Sequence, residues 1–398
     1  MKGLIKIIVT PLIIIILTLG TTGCWNRREL PVLGIVMGVG IDKAMDSDKL
    51  EITAQIIKTS ELKSSSPEEG GAGGGSSSSA GAYWNVKNSG ESMFSTIRGF
   101  THRTSRKLYF PHNQIIIFGQ SLAKQGIQEC LDFLLRDQET RLEVLMLVAE
   151  DKSSDILSVK SHLEKIPSVG ISELMDSQAA NSQTIVIRLN QFVTRLMSPT
   201  TASIAPIISV QGKADNTELA VSGTAVFKRD KLIGQMNKEE TRGLLWVINE
   251  IKSGIIDIES PDQEGRVSLE IINAKSKITS EIIDHKPYIK IDVKEEGNIG
   301  DQSCTASLVS PDAVAALEEK KNEAIKDEIE SALSKAKKLN ADVFGFGDIL
   351  HKKHPKEWQE IKDDWDKIFP NLEVEILVEA KLRRSGNLGS PAAPPEKE

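Results

Sequence analysis

Cys24 is the residue whose chemistry is best defined by its neighbours in the sequence. Two lysines within the first six residues make a basic start, residues 7–19 are almost wholly apolar, and residues 20–23 are small. A basic start, an apolar stretch of roughly 7–15 residues and a small-residue cleavage site define a secretory signal. A cysteine directly after the small residues is typical of a lipoprotein signal, in which the thiol takes a diacylglycerol group. We therefore predict a signal peptide over residues 1–23, cleavage between Gly23 and Cys24, and lipidation of Cys24.

Two alternatives to lipidation stay open. The position three residues before Cys24 holds Thr21, where a lipoprotein signal normally has leucine. Residues 4–20 approach the minimum length of a membrane-spanning helix, so an uncleaved signal anchor is the first alternative. Pro11 within this stretch, and the small residues that follow it, favour cleavage. A soluble secreted form is the second alternative.

No other residue pattern in the chain is typical of a catalytic or cofactor-binding site. The sequence has no G-x-S-x-G, P-loop or H-E-x-x-H pattern. Gly34, Gly38 and Gly40 form G-x-x-x-G-x-G, which differs from the dinucleotide-binding pattern and lies in a predicted strand. Glycines inside a strand mark places where another backbone approaches closely. We therefore predict no catalytic residue and no cofactor, and we interpret the protein as non-enzymatic.

Two groups of side chains have the chemistry of metal ligands but lack the spacing of a metal site. His351 and His354 lie three residues apart on a predicted helix, with no cysteine nearby and with neighbouring lysines that would repel a cation. The aspartates at positions 363, 364 and 366 lack the glycine and the terminal glutamate of an EF-hand loop. We interpret these aspartates as the surface of a helix and predict no metal site in either group.

The two remaining cysteines are Cys130, in a helical apolar pattern, and Cys304, in a strand-like stretch. A free cysteine packs as a small hydrophobic residue, so two buried free thiols are the main expectation. A disulfide between them is the alternative, because the protein is predicted to be exported. The sequence alone does not bring the two sulfur atoms together.

The charge balance argues against one class of partner. The chain of 398 residues has a formal net charge of −7, and removal of the two signal-peptide lysines takes it to −9. An acidic chain is a poor ligand for nucleic acid. The same acidity does not favour docking on anionic lipid, so we expect the anchor at Cys24 to hold the protein at the membrane. No second apolar run is long enough to cross a membrane.

The first half of the mature chain has the alternation of strands and helices that is typical of α/β proteins. Strands are predicted near residues 33–41, 50–57, 114–118 and 142–148, and helices near 92–105, 121–136 and 153–163. Residues 171–197 are predicted to be mostly helical. Residues 64–82 are rich in Gly and Ser, which do not form a core, and are predicted to be a disordered insertion.

A change of composition near residues 199–216 marks the predicted boundary between an N-terminal domain, residues 24–212, and a C-terminal domain, residues 213–388. The C-terminal domain is predicted to contain an antiparallel sheet with strands at residues 255–258, 267–272, 276–283 and 288–293. Residues 389–398 are predicted to be a disordered tail. The predicted fold class is α+β, with an N-terminal α/β-type region followed by a domain with an antiparallel sheet and a long helix.

The long helix has the clearest boundaries in the sequence. Ser310, Pro311 and Asp312 combine a cap, a proline at the first helical position and an acid in the first turn. The helix is predicted to run to Leu339, and the charged residues 318–323 are interpreted as its solvated face. Its predicted buried stripe consists of Leu317, Lys321, Ile325, Ile329, Ala332, Leu333 and Ala336.

Several separated motifs resemble one protein family. Residues 24–30 (CWNRREL) resemble the start of mature Ger(x)C lipoproteins, the C subunits of nutrient germinant receptors in spore-forming bacteria. The C-terminal signature of that family is similar to residues 223–228 (GTAVFK), 231–234 (KLIG), 240–246 (ETRGLLW), 341–347 (ADVFGFG) and 358–370. The resemblance covers residues 24–386.

The resemblance implies a non-enzymatic subunit on the outer face of the spore inner membrane. There it would assemble with a larger A subunit and a polytopic B subunit in a receptor that responds to nutrients. A small-molecule nutrient stays open as a ligand of this chain. The first alternative function is a solute-binding lipoprotein with a ligand between its domains, and the second is a cell-envelope hydrolase.

Overall fold

The computed structural model describes residues 32–45, 47–59, 61, 81–161, 163–213, 216–262, 265–304 and 307–384. The predicted signal peptide, the cleavage site at Gly23 and the lipidation site at Cys24 lie outside these residues. So do most of the predicted Gly/Ser insertion and the predicted tail. Within the described ranges, no helix is both long and apolar enough to cross a membrane.

The described residues form two sheets. The strands are β1 (Leu33–Lys43), β2 (Leu50–Ile57), β3 (Tyr83–Gly90), β4 (Lys107–Tyr109), β5 (Ile115–Phe118), β6 (Leu145–Ala149), β7 (Ile204–Lys213), β8 (Asn216–Lys228), β9 (Lys231–Met236), β10 (Gly254–Glu259), β11 (Arg266–Ile283), β12 (Lys286–Gln302) and β13 (Glu373–Arg384). We call β1–β9 the N-terminal sheet and β10–β13 the C-terminal sheet.

Helices cover both sheets. They are α1 (Met93–Gly99), α2 (Gln120–Gln125), α3 (Gln128–Arg136), α4 (Ser153–Ile156), α5 (Pro167–Ser177), α6 (Leu189–Leu196), α7 (Lys238–Val247), α8 (Pro311–Leu339), α9 (Phe346–Lys353), α10 (Pro355–Ile361) and α11 (Trp365–Ile368). This arrangement confirms the predicted α+β class.

The N-terminal sheet has a parallel centre and antiparallel flanks. Its strand order is β3-β2-β1-β5-β6-β7-β8-β9, and β4 lies beside the start of β1. The pairs β1–β5, β5–β6 and β6–β7 are parallel. All residues of β5 and β6 are buried, as expected where helices cover both faces of a parallel sheet. Ile116 faces the cluster that contains α1 and α3, whereas Ile115 and Ile117 face α4 and α5.

The glycines of β1 allow that second layer of helices to approach closely. A Cβ atom built on Gly40 would lie 2.5 Å from Ser153 Oγ, and one built on Gly38 would lie 2.7 Å from Ser168 Cβ. Any larger side chain at either position would displace α4 or α5. The interpretation of the glycine motif as a strand with close backbone approach is therefore confirmed.

The C-terminal sheet is built on a long hairpin of β11 and β12, with β10 and β13 at its edges. Asp284 and His285 both have positive φ, 48° and 62°, as a two-residue hairpin turn requires. Ile289, Ile291 and Val293 of β12 are buried and alternate with more exposed residues. The closing strand β13 pairs with β12 in parallel.

Several predicted element boundaries are wrong. The helix predicted at residues 121–136 is divided at Gly126 into α2 and α3, and the helix predicted at residues 153–163 is limited to α4. The strands predicted at residues 267–272 and 276–283 form one strand, β11, because a shift of register between Ile271 and Asn273 interrupts the alternation without ending the strand. The helix predicted across residues 171–197 is divided into α5 and α6. The β-branched residues between these helices are extended, and Thr184 donates a hydrogen bond from Oγ1 to the Gly223 carbonyl at 3.0 Å.

The long helix α8 confirms its predicted limits and its predicted stripe. Ser310 Oγ accepts a hydrogen bond from Ala313 N at 3.2 Å, and Asn340 ends the helix in the left-handed conformation with a φ of 49°. Every residue of the predicted stripe is buried. The predicted boundary between residues 212 and 213 falls at the end of β7, and the next two strands, β8 and β9, belong to the N-terminal sheet.

Candidate functional site

The side chains that sequence analysis weighed for chemistry are engaged in local packing. His354 Nε2 lies 2.9 Å from the Ser280 carbonyl oxygen, and the His351 ring stacks on Trp358 at 5.8 Å between centroids. Asp366 pairs with Lys228 at 3.0 Å. No group of three or more metal-ligating side chains occurs in the described part of the chain.

Cys130 and Cys304 are both buried and free, as the main expectation stated. Burial raises the pKa of the Cys130 thiol to about 12. The thiol is therefore protonated at neutral pH and behaves as a small hydrophobic group.

The motifs of the C-terminal half converge on the second half of α8. Arg242 of α7 donates from Nε to both carboxylate oxygens of Glu328, at 3.0 and 2.9 Å, and its Nη2 donates to the same carboxylate. Trp246, one turn along α7, donates from Nε1 to Glu328 Oε2 at 2.9 Å. The Glu328 carboxylate on α8 therefore accounts for the arginine and the tryptophan in the segment 240–246.

Gly243, in the same segment, is required by the close approach of α7 to α8. A Cβ atom at this position would overlap the carbonyl oxygen of Glu328 and would lie 2.9 Å from Ala332 Cβ. The absence of a side chain lets α7 and α8 touch through their backbones. This contact brings Arg242 within reach of the Glu328 carboxylate.

A second ion pair lies deeper, between α8 and β12. Lys321 Nζ donates to Glu295 Oε1 at 2.8 Å, and both side chains are fully buried. Burial raises the pKa of Glu295 and lowers the pKa of Lys321, and the charge of each partner opposes that shift. Burial of charges in this way requires a partner in good geometry.

The interpretation of residues 318–323 as a solvated face is therefore wrong in part. Lys321 is buried, and Asn322 accepts a hydrogen bond from Ala380 N at 2.7 Å. Glu318 accepts one from Leu382 N at 2.9 Å. These three side chains hold β13 and β12 against the helix, whereas Glu319 and Glu323 are exposed.

The loop after α8 is organised by a buried carboxylate. Asp342 Oδ1 accepts hydrogen bonds from Gly345 N and Phe346 N at 2.9 and 3.1 Å, and Oδ2 accepts one from Gly347 N at 2.8 Å. Burial raises the pKa of Asp342 to about 6, although the three N–H donors and the charge of Arg195 favour the ionised form. The pattern ADVFGFG thus supplies both the acceptor and its donors.

The same loop binds the N-terminal half of the chain. Ala202 N donates to the Asp342 carbonyl at 2.8 Å, and Arg195 donates from Nε to the Ala202 carbonyl at 3.0 Å and from Nη2 to the Val343 carbonyl. Burial lowers the pKa of Arg195 to about 10, well above neutrality, so the guanidinium stays charged.

Asp348 completes this connection with three hydroxyl groups. It accepts hydrogen bonds from Ser198 Oγ at 2.9 Å, from Thr201 Oγ1 at 2.7 Å and from Thr200 Oγ1 at 3.1 Å. We call this region the joint. Its members are Arg195, residues 198–203, Arg242, Trp246, Glu328 and residues 340–348.

The strand and aromatic motifs flank the joint. Lys228 of β8 donates to the Asn340 carbonyl at 3.2 Å, and a Cβ atom on Gly234 of β9 would lie 2.6 Å from a Leu339 methyl carbon. Trp358 and Trp365 pack edge to face at 5.5 Å between centroids. Trp246 is buried as well, so all three of these helical tryptophans belong to the core.

Several members of the joint line cavities. One of about 130 Å³ lies between residues 196–203 and residues 340–342 and 365–369, one of about 360 Å³ is lined by Arg242 and Glu328, and one of about 640 Å³ is lined by Arg195. The two larger cavities lie within the range of small-molecule sites, roughly 300–1,000 Å³. Sequence reasoning missed Arg195, Glu328 and Asp348 as members of the joint, because a charged residue in a helical pattern gives no signal of a partner far along the chain.

Two protein families match this chain, one in each half. The family described as "Spore germination protein N-terminal domain" matches residues 26–210, and the family described as "Spore germination B3/ GerAC like, C-terminal" matches residues 222–386. The joint therefore connects the two matched segments, with Arg195 and residues 198–203 in the first and the other members in the second.

Individual relatives match over almost the whole chain. Spore germination protein KC of Bacillus subtilis (strain 168) is 28% identical over 93% of this chain and 93% of its own. Spore germination protein B3 of the same organism is 21% identical over 93% of this chain and 96% of its own.

The crystal structure of the GerBC protein superimposes with a TM-score of 0.57, at 18% identity, over 87% of this chain and 96% of that one. At this level of identity the likeness shows the fold alone. Together with the two family matches, it agrees with the motifs that meet at the joint. The chain belongs to the Ger(x)C family of spore germination proteins, and this membership implies a role in spore germination.

Proposed function

We propose that this chain is the membrane-anchored lipoprotein subunit of a nutrient germinant receptor, and that it acts by protein–protein contact rather than by catalysis. The anchor is the lipidated Cys24 after cleavage at Gly23, and the folded body lies on the outer face of the spore inner membrane. Its partners are the A and B subunits of the receptor.

The observation that carries this proposal is the joint. Its charged residues contact one another and backbone groups of both matched segments, so they hold the fold together. A hydrolase that acts by covalent catalysis needs a nucleophile and a base that reach a substrate. The arrangement supports a body of fixed shape that presents surfaces to partners.

Co-purification from spore membranes tests the proposal. When the wild-type chain is purified through a C-terminal affinity tag, the A and B subunits should be recovered with it. We expect Cys24→Ala to recover much less of both, because the chain is no longer held beside them. Cys304→Ala is the matched control, since it removes a buried thiol and leaves the lipidation site intact. Recovery of the chain without either subunit would contradict the proposal.

Metabolic labelling with a fatty-acid analogue tests the anchor on its own. The wild-type chain should take up label and the Cys24→Ala chain should not. An unlabelled wild-type chain would favour the uncleaved signal anchor. Calorimetry with a panel of nutrients addresses the alternative of solute binding, since micromolar binding by the purified chain would favour that function instead.

A further inference from the structure

An apolar cavity lies between α1, α3 and the edge of the N-terminal sheet where β1 begins. Its volume is about 330 Å³, and we call it the α1–α3 cavity. Its walls are mainly apolar side chains, among them Met93, Phe94, Ile97, Phe110, Phe133 and Leu134. Phe94 is 58% exposed at its mouth although it is aromatic. The cavity is separate from the joint and shares no residue with it.

The rim of this cavity is basic. Arg98, Arg106, Lys107 and Arg141 line it, together with two carboxylates, those of Asp137 and Glu139. Glu139 pairs with Lys107 at 3.4 Å. All four cationic residues are exposed, and Arg98 lies over the Phe94 ring at 5.0 Å from its centroid. Among the described residues, neither Arg98 nor Arg106 forms an ion pair with a carboxylate.

The basic rim belongs to a longer stretch of one sign. Residues 92–128 contain five Lys and Arg residues and no Asp or Glu, in a chain whose net charge is −7. The average acidity of the chain therefore conceals a local surface of opposite charge. This surface is a local exception to the acidity from which we expected no docking on anionic lipid.

The cavity lies a short length of chain away from Cys24, the proposed membrane anchor. Leu33 of β1 pairs with Lys107 of β4, so the described chain begins beside the basic rim. Eight residues lie between Cys24 and Leu33, and an extended chain of these nine steps spans at most about 32 Å. If Cys24 is held in the bilayer, the rim lies within reach of the lipid head groups. This step rests on the proposed function, whereas the cavity and its charges do not.

We propose that the α1–α3 cavity binds an anionic phospholipid of the membrane. The phosphate of the head group binds Arg98, Arg106 and Lys107 at the rim, and part of an acyl chain enters between Phe94, Ile97 and Phe133. An apolar cavity alone accepts many ligands, and a basic patch alone attracts any anion. Their combination at the membrane-facing start of β1 matches a molecule with a negative head and an apolar chain.

Photocrosslinking from inside the mouth of the cavity tests this proposal. The full chain, with p-benzoylphenylalanine in place of Phe94, is mixed with vesicles of phosphatidylcholine and phosphatidylglycerol at a ratio of 70:30. After irradiation, mass spectrometry identifies what is attached to the peptide that contains position 94. We expect a phosphatidylglycerol adduct in several-fold excess over its share of the lipid.

Charge variants separate the head-group contact from simple proximity. We expect Arg98→Glu with Arg106→Glu to reduce the adduct at least fivefold, and Arg98→Lys with Arg106→Lys to retain it. Lys352→Glu with Lys353→Glu is the matched control, because both lysines are exposed on α9. That pair should leave the adduct unchanged.

Three results would overturn the proposal. They are equal attachment of phosphatidylcholine in proportion to its abundance, attachment of a polypeptide such as residues 25–31 or a partner subunit, and no adduct at all. Repeating the experiment with Cys24→Ala separates this proposal from the anchor. Loss of co-sedimentation with vesicles would report on Cys24, whereas the identity of the adduct reports on the cavity in either background.

Discussion

Charged side chains at the joint and around the α1–α3 cavity are of the same types but lie in opposite environments. Glu328 is buried and accepts hydrogen bonds from Arg242 and Trp246, whereas Arg98 and Arg106 extend into solvent beside an apolar opening. A desolvated charge is costly unless a partner with good geometry compensates for it, while an exposed charge is tolerated without one. Charges at the joint therefore determine how the chain folds, and charges at the cavity are available to bind something else.

This difference predicts where substitutions will affect folding. The largest effect is expected for Glu328→Ala, which leaves the Arg242 guanidinium buried without its carboxylate. We expect the free energy of unfolding to fall by about 3–5 kcal/mol in urea denaturation. Glu330→Ala, on the exposed side of the same helix where Glu330 pairs with Lys326 at 3.7 Å, should cost at most about 0.5 kcal/mol. Equal losses in the two variants would mean that the buried pair does not hold the joint.

A smaller effect is expected from crowding the contact between α7 and α8. Gly243→Ala places a methyl group against the Glu328 carbonyl oxygen, so the helices must separate. We expect a loss of about 1–3 kcal/mol in the free energy of unfolding. Gly300→Ala is the control, because a Cβ atom there meets only the Ser268 carbonyl oxygen, at 3.5 Å. If both variants are as stable as the wild type, the contact is looser than described.

The pH dependence of stability should reveal the raised pKa of Asp342. Its folded-state pKa of about 6 lies above the ordinary value of 3.8, so the folded state binds the proton more tightly than the unfolded state. The contribution of Asp342 to stability is therefore complete below pH 3.8 and declines as the pH rises through 6. In Asp342→Asn the side-chain amide N–H group faces the Gly347 N–H, so one hydrogen bond is lost. We expect its free energy of unfolding to be about 1–3 kcal/mol below that of the wild type at about pH 4.5. The difference should be smaller at about pH 7.5.

Urea denaturation of both chains at the two pH values measures this difference. Asp363→Asn, which changes an exposed aspartate, should show a difference from the wild type that does not depend on pH. A difference for Asp342→Asn that grows as the pH rises would contradict the assigned direction of the pKa shift.

The smallest effect on stability is expected at the rim of the cavity. Arg106→Glu should change the free energy of unfolding by at most about 0.5 kcal/mol, because the side chain is exposed. Calorimetric melting of the purified chain measures this change. A loss as large as that of Gly243→Ala would show that Arg106 contributes to the fold and would weaken the contrast between the two regions.

The sequence predicted elements whose signals are local. The cap at Ser310 and the spacing of apolar residues in α8 each depend on a few neighbouring residues, and each is confirmed. The glycines of β1 were also interpretable, because a glycine inside a strand usually marks a place where another part of the chain packs closely. The resemblance of separated motifs to one family is confirmed by the two family matches.

The parts that sequence reasoning missed depend on distant pairing. Arg195 contacts Val343, and Lys321 contacts Glu295, in each case across many intervening residues. Helical periodicity placed Lys321 on the buried stripe, but nothing local named its partner on β12. The basic segment of residues 92–128 was visible in the sequence, yet its significance appears only when the fold places it around an apolar cavity.

The measurement that tests the central claim most directly is the germination of spores that lack this chain, followed in parallel with several nutrients. We predict that the response to one class of nutrient is lost, that responses to other classes persist, and that the wild-type chain restores the lost response whereas the Cys24→Ala chain restores it poorly. Unchanged germination with every nutrient tested would contradict a role for this chain in a nutrient germinant receptor.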